Sequence, residues 1–154
     1  MRVFTLGLSY HTAPLEMREQ VAFTKEELPG ALLSLKDAYG DAVILSTCNR
    51  TEIYSIAPDG RVPRDELVSF LARKSLQSEA ELSQHLYLYE QEEAVRHLFR
   101  VVSGLDSMIL GEAQILGQVR SAYSAAVAQG CGRGAMSKVF HHSLRVGKRA
   151  RRET

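Results

Sequence analysis

A strand, a short polar turn and a second strand are predicted over residues 42–57, and this hairpin constrains the fold more than any other part of the sequence. Ala42-Val43-Ile44-Leu45 is an apolar run, whereas Glu52-Ile53-Tyr54-Ser55-Ile56 alternates between polar and apolar side chains. Both patterns are typical of strands. The turn between them carries Cys48 and, two positions later, Arg50. The stretch therefore predicts a β-hairpin that presents a cysteine next to a guanidinium group.

Two further strands and several helices are predicted around the hairpin. In residues 2–9 the side chains of Phe4, Leu6 and Leu8 alternate onto one face, and Leu86-Tyr87-Leu88-Tyr89 is rich in strand formers. Before residue 90, the predicted helices are one from Pro14 to about Ala22, one that follows a Thr24–Glu27 capping box and ends near Ala38, and one that begins at Pro63. Four strands with helices between them predict an α+β fold, in which helices pack on an antiparallel four-stranded sheet of the ferredoxin-like type.

The pattern becomes helical from Gln91 to the end of the chain. Apolar residues recur at helical spacing, as Ala94, Leu98 and Val101, and again as Ile115, Val119, Ala122 and Ala126. A last helix is predicted over about 135–152, with Val139 and Val146 facing inward. We therefore expect residues 1–90 to form an α/β sandwich that carries the cysteine turn. Residues 91–154 are expected to form a C-terminal helical extension packed on it.

Composition limits the class of protein. The chain has 154 residues, of which 45% are hydrophobic and 24% charged, with a formal net charge of +1. These values are ordinary for a globular domain. With no apolar run long enough to span a bilayer and no leader pattern, we expect a cytoplasmic protein. The charge is uneven, because Arg145, Lys148, Arg149, Arg151 and Arg152 crowd the C-terminus, as either a solvated face or a nucleic-acid contact.

The two cysteines differ in their surroundings. Cys48 lies among hydroxyls and beside Arg50, which is the polar, electropositive environment of reactive thiols. The alternative is that Cys48 is a small residue at a strand end and that Arg50 is solvated. Cys131 lies in a glycine-rich turn far along the chain, so we interpret it as incidental. The spacing predicts neither a disulfide framework nor a metal site.

Two blocks of the sequence resemble glutamyl-tRNA reductases. The string Ser-Thr-Cys-Asn-Arg-Thr-Glu at 46–52, followed by Ile53 and Tyr54, resembles the active-site segment of that family. His97, Ser-Gly-Leu-Asp-Ser at 103–107 and Gly-Glu-Ala-Gln-Ile-Leu-Gly-Gln at 111–118 resemble its longest block. Residues 7–15 resemble its opening, although His11 is displaced by one position and receives no role. Ala113 stands where the family often has proline. Together these blocks cover most of the chain.

The resemblance implies that this is the N-terminal catalytic domain of such an enzyme, with Cys48 as the nucleophile and His97 as a second site residue that influences activity. It implies that the glutamyl group contacts Thr47, Cys48, Asn49, Arg50, Ser107, Glu112, Ala113, Gln114 and Gln118. The pattern alone favours a different interpretation of His97, as a core histidine hydrogen-bonded to the backbone. Glu112 is equally a carboxylate favoured by a helix dipole, and the two glutamines are equally boundary amides.

The implied reaction is attack of the Cys48 thiolate on the ester of glutamyl-tRNA, which gives a thioester that NADPH reduces to glutamate-1-semialdehyde for tetrapyrrole biosynthesis. Because the chain has no Gly-x-Gly-x-x-Gly unit, we expect a following domain, absent here, to hold NADPH. A further domain would form a homodimer, and glutamate-1-semialdehyde aminomutase is an expected partner. For Arg50, capture of the substrate carboxylate ranks above thiolate activation.

The sequence leaves two alternative functions open, each of a different class from a reductase domain. One is a stand-alone cysteine esterase or acyltransferase, which needs a base within reach of the thiol. The other is a non-catalytic regulatory or tRNA-binding module, in which Cys48 is unreactive.

Overall fold

A four-stranded antiparallel sheet forms the centre of the computed structural model, which describes residues 1–109 and 114–153. The strands are β1 (Arg2–Ser9), β2 (Ala42–Ser46), β3 (Arg50–Ala57) and β4 (Tyr87–Glu90). The helices are α1 (Leu15–Val21), α2 (Leu28–Tyr39), α3 (Arg64–Ala72), α4 (Glu79–Ser83), α5 (Glu92–Val102), α6 (Gln114–Ala128) and α7 (Ala135–Glu153). The strand order β2-β3-β1-β4, with helices after β1 and β3, confirms the predicted α+β, ferredoxin-like arrangement.

The strand register brings the important turns to one end of the sheet. Ser9, the last residue of β1, pairs with Arg50, the first residue of β3. Gly7 pairs with Tyr87, the first residue of β4. The β2–β3 turn with Cys48 therefore lies beside the loop that follows β1. We refer to this as the Cys48 end of the sheet.

Helices cover both faces of the sheet. The face with Phe4 is covered by the helices that precede β4, since Phe4 lines a cavity with Tyr39 of α2 and Glu66 of α3. The opposite face is covered by α5 and α7, because Tyr54 meets Phe140 of α7 edge-on, with ring centroids 5.5 Å apart. Strand β2 packs against α2 and α6, and this burial explains why it is an uninterrupted apolar run rather than an alternating one.

Most of the predicted helices are confirmed. The capping box is present, because the Thr24 amide donates to Glu27 Oε1 at 2.9 Å and the Glu27 amide donates to Thr24 Oγ1 at 3.2 Å. The five-residue helix α4 was not predicted, since so short a segment has no apolar period to read.

The predicted inward face of α7 is confirmed in part. The buried residues are Met136, Phe140, Ser143 and Gly147, and Val139 is half-buried and packs against the core, whereas Val146 is half-buried and is not among the residues packed on it. A Cβ on Gly147 would lie 2.9 Å from both Leu116 Cδ1 and Val102 Cγ2. The glycine therefore lets α7 approach α5 and α6 closely.

One cluster of buried apolar residues runs through residues on both sides of Glu90. Cys131 belongs to it: this side chain is fully buried and its Sγ lies 3.7 Å from the Leu32 carbonyl oxygen. Among the helices in the described ranges, none is both long and apolar enough to cross a membrane.

Candidate active site

Cys48 lies at the tip of the β2–β3 turn. The Thr47 amide donates to the Arg50 carbonyl at 2.8 Å, which closes the turn, and the Asn49 amide donates to Thr47 Oγ1 at 3.1 Å. The Cys48 side chain is exposed, and its Sγ lies 3.8 Å from Asn49 Oδ1. Backbone hydrogen bonds thus fix the turn while the thiol faces solvent.

Two neighbouring segments hold this turn in place. The Tyr10 amide donates to the Asn49 carbonyl at 2.9 Å. Arg18 of α1 donates through Nη1 to the Cys48 carbonyl at 3.1 Å and through Nε to the Ala13 carbonyl at 3.2 Å. Arg18 therefore ties the backbone of the cysteine turn to the segment between β1 and α1.

Arg50 is buried in a cluster of charges. Its side chain is only 2% exposed. Nη1 donates to Asp106 Oδ2 at 3.0 Å and to Glu52 Oε2 at 3.4 Å, and Nη2 donates to the Asp106 carbonyl. Burial lowers the pKa of Arg50, but the charges of Glu52 and Asp106 outweigh it and raise that pKa above the usual range. The guanidinium is permanently charged and already paired.

Glu52 is the centre of this cluster. It is fully buried and accepts hydrogen bonds from Tyr54 at 2.7 Å, Tyr87 at 2.5 Å and His97 Nε2 at 2.5 Å, in addition to Arg50. Burial raises the pKa of Glu52, but the hydrogen bond and charge of His97 and the charge of Arg50 outweigh it and hold that pKa at about 2. Glu52 is therefore ionised at neutral pH.

Both tyrosines in the cluster keep their protons. Burial and the adjacent charge of Glu52 raise the pKa of Tyr54 and of Tyr87 well above the ordinary value. Each phenol thus remains a donor to the carboxylate at neutral pH. The two phenol hydrogen bonds fix the orientation of the Glu52 carboxylate, and the carboxylate in turn fixes the positions of the Arg50 and His97 side chains.

A cavity of about 340 Å³ opens beside the cluster at the Cys48 end. Its walls include His97, Asp106, Tyr87 and Tyr89, together with His11, whose Nε2 lies 3.5 Å from Asp106 Oδ1. In the described part of the chain no hydrogen bond joins His97 to Cys48, since His97 Nε2 is bound to Glu52. The histidine is therefore not placed to take the thiol proton directly.

The predicted contact residues fall into three places. Thr47, Asn49 and Arg50 are in or next to the cysteine turn, and Ser107 is buried directly after Asp106. Gln114 and Gln118 line a second cavity of about 670 Å³ with Ser46. Glu112 and Ala113 lie outside the described residues.

Sequence reasoning did not single out Arg18, Glu52, Tyr87 or Asp106 for the site. The sequence could have indicated Glu52, because residues at i and i+2 of a strand share a face, which places Glu52 next to Arg50. No local pattern indicated the other three residues. Arg18 is 30 positions from Cys48, Tyr87 is 35 positions from Glu52, and Asp106 is 56 positions from Arg50.

Comparison with known proteins identifies the family. A family profile described as "Glutamyl-tRNAGlu reductase, N-terminal domain" matches residues 6–154. The glutamyl-tRNA reductase of Solibacter usitatus is 46% identical over 156 residues, which cover 100% of this chain and 37% of that protein. The Desulfitobacterium hafniense enzyme is 44% identical, covering 97% of this chain and 34% of that protein.

A solved structure agrees with the sequence comparison. The glutamyl-tRNA reductase from Methanopyrus kandleri superposes with a TM-score of 0.78 at 35% identity, covering 99% of this chain and 35% of that one. The chain spans about a third of the length of these relatives. On this evidence, it belongs to the family of glutamyl-tRNA reductase N-terminal domains.

Proposed function

We propose that this chain is the acyl-accepting domain of a glutamyl-tRNA reductase. The Cys48 sulfur attacks the ester carbonyl carbon of glutamyl-tRNA and forms a thioester. The carbon–oxygen bond to the terminal ribose breaks, and the thiol proton ends on the released tRNA hydroxyl. The observation that carries the proposal is the exposed Cys48, held at the tip of a rigid turn beside Arg18. A thiolate is the strongest nucleophile that a side chain offers near neutral pH.

Arg50 is proposed to receive the side-chain carboxylate of the glutamyl group. Of its two carboxylate partners, Glu52 is 0% exposed and Asp106 is 18% exposed. Asp106 also lines the cavity beside His97. A substrate carboxylate entering that cavity would therefore take the place of the Asp106 carboxylate on Arg50, while Glu52 stays in place.

His97 is proposed to position the acyl group rather than to act as the base for Cys48. Its Nε2 is bound to the ionised Glu52, and its ring lies 4.8 Å, centroid to centroid, from that of Tyr89 in the cavity wall. The remaining predicted contacts to the glutamyl group are also part of the proposal: Thr47, Asn49, Ser107, Glu112, Ala113, Gln114 and Gln118.

The described residues do not fit a dinucleotide. Every pair of adjacent strands among them is antiparallel, so they contain no βαβ unit with a crevice at the carboxyl ends of parallel strands. The sequence has no glycine-rich fingerprint either. We therefore assign only thioester formation to this chain. The family name also denotes a reduction. We propose that a whole protein, with a nucleotide site outside these residues, carries out that reduction with NADPH in tetrapyrrole biosynthesis.

The test is deacylation of glutamyl-tRNA without NADPH, because a thioester with no hydride donor is lost to water. We expect the unaltered chain to release glutamate faster than the spontaneous rate and Cys48→Ser to release it at that rate. Cys131→Ala is the matched control and should retain the activity, since Cys131 is buried away from the site. Equal release by Cys48→Ser and the unaltered chain would contradict the proposal.

A further inference from the structure

Six exposed cations gather on the outer sides of α5 and α7. Arg145, Lys148, Arg149 and Arg152 line a shallow cavity of about 240 Å³ on α7. No acidic side chain is among the described residues that line this cavity. Arg96 and Arg100 of α5 are likewise exposed. We refer to these six residues as the α5–α7 cationic surface.

Contacts between the helices join the two parts of this surface. The Phe99 ring of α5 lies 5.2 Å from the His142 ring of α7, centroid to centroid; Phe99 lines a cavity with Arg96, and His142 lines one with the four α7 cations. Within residues 1–109 and 114–153, none of the six cations forms an ion pair. The nearest carboxylates in the sequence are Glu92, Glu93 and Asp106 around α5 and Glu153 at the end of α7, and two of them, Glu93 and Asp106, line the cavity that Arg96 and Arg100 also line.

The direction of the helices places the surface at the Cys48 end. Phe99 meets His142, and Val102 meets Gly147 further along, so α5 and α7 run in the same direction. The chain leaves α5 at Val102 and reaches Asp106, which binds Arg50 at the start of β3. The turns of α7 after Gly147, which carry Lys148, Arg149 and Arg152, therefore lie at the same end of the molecule as Cys48.

The surface is also continuous with the candidate site. Arg96 and Arg100 line the cavity that contains His97 and Asp106. A chain of phosphates lying on α7 and α5 would therefore lead into the cavity beside Arg50. The overall charge of the protein is only +1, so this concentration of cations is local.

We propose that the α5–α7 cationic surface binds the phosphate backbone of the tRNA acceptor stem and directs its 3′ end to Cys48. The inference rests on the proposed function for the identity of the RNA. It goes further by assigning residues of α5 and α7, outside the cysteine turn, to RNA binding. The contacts are charge contacts to phosphate, so they supply affinity and orientation without reading sequence.

Salt dependence of tRNA binding tests the proposal. If each of the six cations neutralises one phosphate, raising KCl from 50 to 200 mM should weaken binding about 1,800-fold. Arg145→Gln/Arg149→Gln removes two of these contacts, and its binding should weaken about 150-fold over the same range. At 50 mM the variant should also bind at least about tenfold more weakly than the unaltered chain. The probe is deacylated glutamate tRNA, measured by fluorescence anisotropy.

The matched control is Arg61→Gln/Arg73→Gln, which removes the same charge from exposed positions outside α5 and α7. We expect it to keep the affinity and salt slope of the unaltered chain. If the Arg145/Arg149 variant and the control bind tRNA equally at both salt concentrations, the proposal is overturned. An acidic protein would then be the better occupant.

A second readout separates this proposal from the proposed function. Adenosine carrying a 3′-glutamyl ester has the reacting bond but no phosphate. We expect the Arg145/Arg149 variant to form the Cys48 adduct with this ester at the rate of the unaltered chain. Loss of the adduct with both substrates would mean that the variant damages the site, which overturns the surface role. No adduct in the unaltered chain would instead refute the proposed function, and the binding comparison would still decide the surface role.

Discussion

Replacing Glu52 by Gln is the most informative perturbation of the charge cluster. The amide keeps the size of the side chain, and its oxygen, placed where Glu52 Oε2 lies, can still accept from His97 and Tyr87. It removes the negative charge that faces Arg50. The variant therefore isolates the electrostatic contribution of a carboxylate that is fully buried.

Two arguments give the size of the effect. Holding the pKa of Glu52 at about 2, instead of 4.5 in the unfolded chain, corresponds to about 3 kcal/mol of folding free energy at neutral pH. Breaking a buried ion pair by removing one partner typically costs ~3–5 kcal/mol. We expect Glu52→Gln to lower the free energy of unfolding by about 3 kcal/mol at pH 7.

Urea unfolding followed by circular dichroism measures this difference. Because the pKa is lower in the folded state, the folded chain binds fewer protons, so the contribution is complete above about pH 4.5 and is lost as the pH falls toward 2. The variant should lack that part of the pH dependence. Glu19→Gln, at an exposed carboxylate, should change stability by less than about 0.5 kcal/mol. A Glu52→Gln protein as stable as the unaltered chain, with an unchanged pH profile, would refute the reasoning.

Two further predictions concern the turn and its neighbours. Arg50→Lys loses the planar guanidinium that can hold a carboxylate through two hydrogen bonds. It should raise KM for glutamyl-tRNA about tenfold and change the alkylation rate of Cys48 less than about twofold. A larger effect on alkylation than on KM would show that Arg50 activates the thiol instead. In the native chain iodoacetamide should modify the exposed Cys48 at least about 100-fold faster than Cys131, because burial both shields Cys131 and raises its pKa. Mass spectrometry of the digested protein measures both rates, and comparable modification would contradict the buried position of Cys131.

The sheet was predictable because its signals are local. Alternation in residues 2–9 and 52–56, and the polar turn between two strand patterns, were each visible within a few residues. The capping box at Thr24 and Glu27 was visible for the same reason. These local signals were sufficient for the ferredoxin-like arrangement.

The phase of α7 was only partly predictable from apolar side chains. Gly147 is buried because the backbones of α5 and α6 come close to it, not because it is hydrophobic. A search for branched apolar residues therefore selects Val139 and Val146, of which only Val139 packs against the core. Close helix packing depends on the partner helix, which the local sequence does not contain.

The chemistry of the site was partly predictable. The cysteine turn and its position between two strands followed from the sequence, but the state of Arg50 did not. Local sequence left Arg50 as the cation beside the thiol, whereas in the structure Asp106 and Glu52 bind it and Arg18 lies beside Cys48. Such long-range ion pairs arise only when the sheet brings distant residues together.

Intact-protein mass spectrometry tests the central claim most directly. The chain is mixed with glutamyl-tRNA in the absence of NADPH, quenched in acid and weighed, beside Cys48→Ser and Cys131→Ala. The account predicts a glutamyl adduct on the unaltered chain and on Cys131→Ala, removed by hydroxylamine as a thioester is, and no adduct on Cys48→Ser. If tRNA binds and no adduct forms on the unaltered chain, or if Cys48→Ser carries the same adduct, Cys48 is not the acyl acceptor.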